Sequence, residues 1–206
     1  QTHWQIGLTL LDGLDERQQE TKLFDAVEHL NQGSLHASSA QSTMLIDFNL
    51  KAGKRAKQSA AYDVAYSCLE KAFISIGKQA FSSGSEYAIE VGLEFAQACY
   101  LAGQFDQAES LYQQIKAITT SERDLLKLAN MQAKQYHHQG LYQQSVEQGF
   151  QALRLLGITL PDDDDKLLEL FAEQKAQIER VLQTTTLDVV YQQDHVEDED
   201  FSLTLA

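Results

Sequence analysis

One eight-residue pattern occurs twice, 37 residues apart. Leu101-Ala-Gly103-Gln-Phe105-Asp-Gln-Ala108 returns as His138-Gln-Gly140-Leu-Tyr142-Gln-Gln-Ser145. Each copy has a glycine, an aromatic residue two positions on and a small residue three further. A period near this length is that of stacked helical hairpins of the tetratricopeptide kind. The glycine suits a helix end that must turn left-handed. The aromatic residue is expected to wedge into the turn, and the small one to let the second helix approach the first. The flanks carry helical periodicity: Leu93, Ala96, Tyr100 and Leu101 before the first turn, and Ala108, Leu111, Tyr112 and Ile115 after it. Leu125, Leu128, Ala129, Ala133 and Tyr136, then Val146, Gly149, Phe150, Leu153 and Leu156, repeat this around the second turn. With proline present once, at Pro161, nearly the whole chain can run through helices.

A degenerate earlier copy is read at Ala52-Gly53, so the turn set is Gly53, Gly103, Phe105, Gly140 and Tyr142. After Gly53 a long helix is expected, with Tyr62, Tyr66, Leu69, Phe73 and Ile76 on one stripe and Ala61, Ala65, Cys68 and Ala72 on a small-residue stripe beside it. Two more helices are expected upstream, about residues 4–11 and 17–32. The fold class is all-α, an antiparallel helix-pair solenoid over residues 1–161, with eight or nine helices expected in the whole chain. A C-terminal amphipathic helix, 162–186, is expected to pack on the stack, with 187–206 an acidic linker or truncated continuation.

Charge and motifs exclude several classes of function. The net charge is −14, and residues 162–206 hold 13 acidic residues against 3 basic ones, a balance that disfavours nucleic acid and anionic membrane as partners. Lys51, Lys54, Arg55 and Lys57 read as a solvated turn and helix start. No apolar run of membrane length occurs, and a chain opening at Gln1 reads as a piece of the cytoplasmic part of something longer. Gly53-Lys54 and Gly77-Lys78 lack both the upstream glycine of a phosphate loop and a hydroxyl residue after the lysine. Neither a nucleophile elbow nor a His-Glu-x-x-His helix is present.

Cys68 and Cys99 read as packing residues, with no spacing for zinc. Consecutive His137 and His138 point about 100° apart on a helix and cannot easily share a metal. They suit the exposed carbonyls at a helix end, as His29 suits the end of its own helix. Glu86, Glu90 and Glu94 read as a wet helix face. No catalytic, metal or cofactor residue is assigned.

Longer stretches carry a resemblance. His29-Leu30-Asn31-x-Gly33, Asn49-Leu50-Lys51-Ala52-Gly53-Lys54-x-Ala56-Lys57-x-Ser59-x-Ala61-Tyr62, Tyr100-Leu101-x-Gly103-x-Phe105 and Ala152-Leu153-x-Leu155-Leu156-Gly157-Ile158-x-Leu160-Pro161 together resemble the helical-repeat region of large bacterial STAND-type signalling ATPases. Such proteins join a serine/threonine kinase-like domain, an ATPase, GAF domains and a sensor histidine kinase. Ser145, where alanine is usual, and the acidic 197–200 stretch depart from the pattern. The resemblance implies a relay position between the ATPase and the sensor and kinase modules. It brings no active-site residue into this chain.

Three readings compete: a non-catalytic scaffold contacting other domains of its own chain or partner proteins, a sensor whose groove binds a peptide or small molecule, and a phosphotransfer domain using His137 or His138. Site geometry disfavours the third.

Overall fold

The computed structural model describes residues 2–12, 16–34, 38–161 and 163–184, so the acidic segment expected at 187–206 lies outside the described residues. Nine helices and no strand occur among them: α1 (Thr2–Leu11), α2 (Glu16–Gln32), α3 (Ser39–Gln58), α4 (Tyr62–Ser82), α5 (Glu86–Leu101), α6 (Phe105–Ile118), α7 (Glu122–His138), α8 (Tyr142–Leu155) and α9 (Asp164–Thr184). The chain divides into two compact units, one ending at Thr120 and one beginning at Ser121. In the first, α1 packs on α2, α2 on α3, α3 on α4, α4 on α5 and α5 on α6, and α3 also reaches α5. In the second, α7 packs on α8.

Serines mark three helix starts that the periodicity left open. Ser38 forms a capping box with Gln41 ahead of α3, and Ser85 and Ser121 accept from the backbone N–H groups of Ala88 and Asp124. Each satisfies a donor that the first helical turn leaves without a partner.

The expected turn at Gly53 is not there. Gly53 lies inside α3, and a Cβ on it would sit 2.8 and 2.9 Å from the two Leu69 methyl carbons and closer still to Cγ. This glycine permits helix contact and does not reverse the chain. The reversal comes seven residues later at Ala60, whose φ is +56°. Around it Ala60 N–H donates to Lys57 O, Ala61 N–H to Ala56 O, and Ala65 N–H to Ala61 O. The same three bonds recur from Gly103, Gln104 and Ala108, and again from Gly140, Leu141 and Ser145. The residue after each left-handed position has nearly the same backbone: φ/ψ of −85°/67° at Ala61, −88°/62° at Gln104 and −86°/60° at Leu141. Three hairpins, α3–α4, α5–α6 and α7–α8, thus share one turn.

An L-residue in the left-handed region costs roughly 1–2 kcal/mol. Ala60→Gly is therefore expected to raise stability by about 1 kcal/mol, after glycine's extra unfolded-state entropy is offset. Gly103→Val and Gly140→Val are expected to lower it by around 1 kcal/mol or more. No atom lies within 4 Å of a Cβ at either site, so backbone strain alone carries that loss. Denaturant unfolding of the chain checks all three, and a destabilising Ala60→Gly would contradict the shared turn.

The first unit's core follows the small-residue stripe from Ala65 onward, with Cys68 and Ala72; of the larger apolar stripe only Leu69 is fully buried, and Tyr62 is exposed. Ala65, Leu69 and Ala72 of α4 are fully buried. Leu23 and Val27 of α2, Ala52 of α3 and Cys68 form one cluster, and Trp4, Leu30 and Leu45 another, with Phe48 touching both. Between α2 and α3, Asn31 and the fully buried Asn49 exchange amide hydrogen bonds of 3.0 and 2.8 Å. Asn49 also donates to Leu45 O at 2.9 Å.

α4 is not one straight rod. Gly77, at φ +77° and ψ +155°, breaks it in a region open essentially to glycine. On an unbroken helix Phe73 and Phe81 would be about 12 Å apart along the axis. Here their rings meet edge-on with centroids at 4.8 Å, and Phe73 also packs on Phe95 at 5.3 Å.

Candidate interaction surfaces

Where α3 and α5 run side by side, polar side chains join them. Tyr87 Oη donates to Asp47 Oδ1 at 2.5 Å, and Lys54 Nζ to Glu90 Oε1 at 2.6 Å. Lys57 Nζ donates to Gln97 Oε1 at 2.5 Å and pairs closely with Glu94 Oε2, an ion pair without an aligned hydrogen bond. Burial first, then the Asp47 hydrogen bond and charge, pushes the Tyr87 hydroxyl well above the usual range, so it remains a donor at neutral pH. The basic cluster is thus no solvated helix start. It sits in the last turns of α3, and two of its lysines meet α5 carboxylates. Glu86 and Glu90 are exposed as expected, but Glu94 is half-buried in this network. Spacing along one helix could not show a partner 36 to 40 residues away.

At the turns the recurring aromatic residue lies over the chain reversal instead of wedging into it. Phe105 is 49% exposed and Tyr142 63%. Phe105 packs on Tyr100 with ring centroids at 5.5 Å, and Tyr142 on His137 at the same distance. Tyr100 and His137 occupy equivalent places, three residues before the turn glycine, so His137 has a packing role there. His138 is the last residue of α7, and its ring lies 5.9 Å from that of His137. Ser145, the departure from alanine, donates to Ala133 O at 2.8 Å, which satisfies its hydroxyl within the α7–α8 hairpin. His29 stacks on His3, with Nδ1 atoms 2.9 Å apart.

Both cysteines are free and buried. Burial, with a contribution from the Glu70 charge, raises the Cys99 thiol to about 12, and burial raises Cys68 as well. Thiols held protonated in this way are poor nucleophiles. Among the described residues no group of three or more His, Cys, Asp or Glu side chains could hold a metal ion, and no helix is long and apolar enough to cross a membrane.

The second unit has the more open apolar surface. α8 contains no fully buried residue. Between it and α7 lies an open groove of about 330 Å³, lined by Leu126, Asn130, Ala133, Val146, Gly149, Phe150, Ala152 and Leu153. α9, expected to pack on the stack, instead exposes Leu167, Leu168, Phe171, Ile178, Val181 and Leu182. α9 is amphipathic, as its sequence pattern implies, but such a pattern specifies a face and not what covers it.

No family model, curated protein or solved structure matches this chain.

Proposed function

We propose that this chain is a tetratricopeptide-like helical-repeat segment, an α–α solenoid, that acts as a non-catalytic interaction and signal-relay scaffold within a bacterial STAND-type ATPase of the signalling class, in the cytoplasm. The observation that carries the reading is the thrice-used turn at Ala60, Gly103 and Gly140. A hairpin repeated with one turn geometry is the unit from which solenoids are stacked, and their extended faces serve recognition. The aromatic-on-turn packing at Phe105 and Tyr142 adds a second shared feature. The motif series from His29 to Pro161 supplies the parental context. The partners are other domains of the same polypeptide or companion proteins, with no role for nucleic acid, membrane insertion, cofactor or metal.

Contacts within one polypeptide benefit from millimolar effective concentration, so an intrinsic affinity between micromolar and millimolar suffices. The test is titration of the ATPase and kinase portions encoded in the same reading frame into isotope-labelled chain. Localised amide shift changes within α3 to α8 are expected, together with neither ATP binding nor phosphate uptake by the chain itself.

A second reading, a ligand sensor, is favoured by one observation. The α7–α8 groove is apolar, open and within the roughly 300–1,000 Å³ range of small-ligand sites. A small apolar molecule that shifts Val146, Gly149 and Phe150 amides, with no response to either protein portion, would replace the scaffold with the sensor.

A further inference from the structure

The hairpins α3–α4 and α7–α8 correspond beyond their shared turn. The spacing that takes Ala60 to Gly140 also takes Gly77, the left-handed glycine of α4, to Gly157, the left-handed glycine after α8. In the first of these hairpins the outer face has an occupant. α5 packs against both α3 and α4. Its Phe95 ring meets Tyr66 and Phe73 of α4 with centroids at 5.6 and 5.3 Å, and its Glu90 and Glu94 meet Lys54 and Lys57 of α3. In the same hairpin Ile46, Gly53 and Leu69 are buried.

The corresponding residues of α7–α8 line its open groove. Leu126 stands for Ile46, Ala133 for Gly53, Val146 for Tyr66, Gly149 for Leu69 and Leu153 for Phe73. All three α8 residues are smaller than their α4 counterparts, and Val146 is 56% exposed. A Cβ on Gly149 would meet no atom within 4 Å. The groove therefore has room for an anchor larger than the one that α4 holds.

Charge narrows the occupant further. Lys134 stands where Lys54 does, and Lys127, paired only loosely with Asp124 at 3.9 Å, stands where Asp47 does. Two lysines thus edge the face to which α5 would present its carboxylates in the first hairpin, and an acidic edge complements them. α9 lacks the chemistry of α5. Aligned on the capping side chains Ser85 and Asp163, Phe95 falls on Glu173, Ala96 on Gln174 and Cys99 on Gln177.

We infer that the α7–α8 groove is a helix-docking site for a partner domain, taking an amphipathic helix with an aromatic anchor in the Phe95 role and acidic residues along the α7 edge. Such helix-in-groove recognition reads anchors at helical spacing. The inference rests on the scaffold reading and deepens it, naming the surface and the kind of partner.

A capped peptide of residues 85–101 carries this chemistry and is the probe. Titrated under reducing conditions into the isotope-labelled 206-residue chain, it is expected to shift the Val146, Gly149 and Leu153 amides. A dissociation constant on the order of 100 µM is expected, because a free peptide must also order into a helix. The chain's own α5 holds the α3–α4 face at far higher effective concentration, so that face should not respond. Phe95→Ala in the peptide should weaken binding about 30-fold, as loss of an interface anchor does. Val146→Asp in the chain should abolish the Gly149 and Leu153 shifts with the circular dichroism unchanged, since this side chain is exposed.

Unmoved groove amides would overturn the inference, and the scaffold reading would survive if the parental domains still shifted α3 to α6. Binding indifferent to both Phe95→Ala and Val146→Asp would overturn it as well. Equal shifts from N-acetylphenylalaninamide at the same concentration would give the groove to a small ligand instead of a helix. Nuclear Overhauser contacts between α9 and Val146 in the free chain would make α9 the occupant and overturn the partner.

Discussion

Gly53→Val is expected to destabilise the first unit by about 3 kcal/mol, at the upper end of what overpacking a well-filled core costs. The added Cβ meets the Leu69 side chain, which is fully buried and has nowhere to withdraw. Gly53 is helical, so the loss comes from collision and not from backbone strain, and removal of a mid-helix glycine offsets only part of it. Gly149→Val in α8 is the matched control: the same substitution in a helix, with nothing within 4 Å of the new Cβ. Denaturant titration should show a large fall in midpoint for the first and little change for the second. Equal effects would mean that α3 and α4 do not approach at Gly53.

Phe81→Ala is expected to cost about 3–5 kcal/mol, the range for emptying an aromatic site in a core. Phe81 is nearly fully buried, its ring edge-on to Phe73, and a Cβ on Gly92 would come within 2.7 Å of it. Its position depends on the break at Gly77. A double-mutant cycle with Gly77→Ala is therefore informative. If the break exists to fold Phe81 back, the two losses should be less than additive, since a straightened α4 already withdraws the ring. Full additivity would separate the kink from the aromatic cluster.

The helical class and most helix positions were legible because apolar periodicity reports them directly. The turns at Gly103 and Gly140 were legible because glycine occupies the left-handed residue. The first hairpin was misplaced for the converse reason. Its left-handed residue is Ala60, which carries no glycine signal, while the nearby Gly53 serves a close helix contact. The better signal was the shared spacing of Ala60, Tyr62 and Ala65 with Gly103, Phe105 and Ala108. The α3–α5 polar contacts were illegible, because Asp47 with Tyr87 and Lys54 with Glu90 become neighbours only once two helices lie side by side. For α9 the stripe was visible in sequence, but its exposure depends on whether another element reaches it.

The reciprocal amide pair between Asn31 and Asn49 bears on how α2 and α3 respond to load. Purely aliphatic ridges can creep past one another by small side-chain adjustments at little cost per step. A displacement that separates these two amides strands hydrogen-bonding groups of the fully buried Asn49, at roughly 1–3 kcal/mol for each. Sliding of α2 along α3 is thereby converted from a graded motion into a detent: the two helices stay in register under small forces and slip abruptly under large ones.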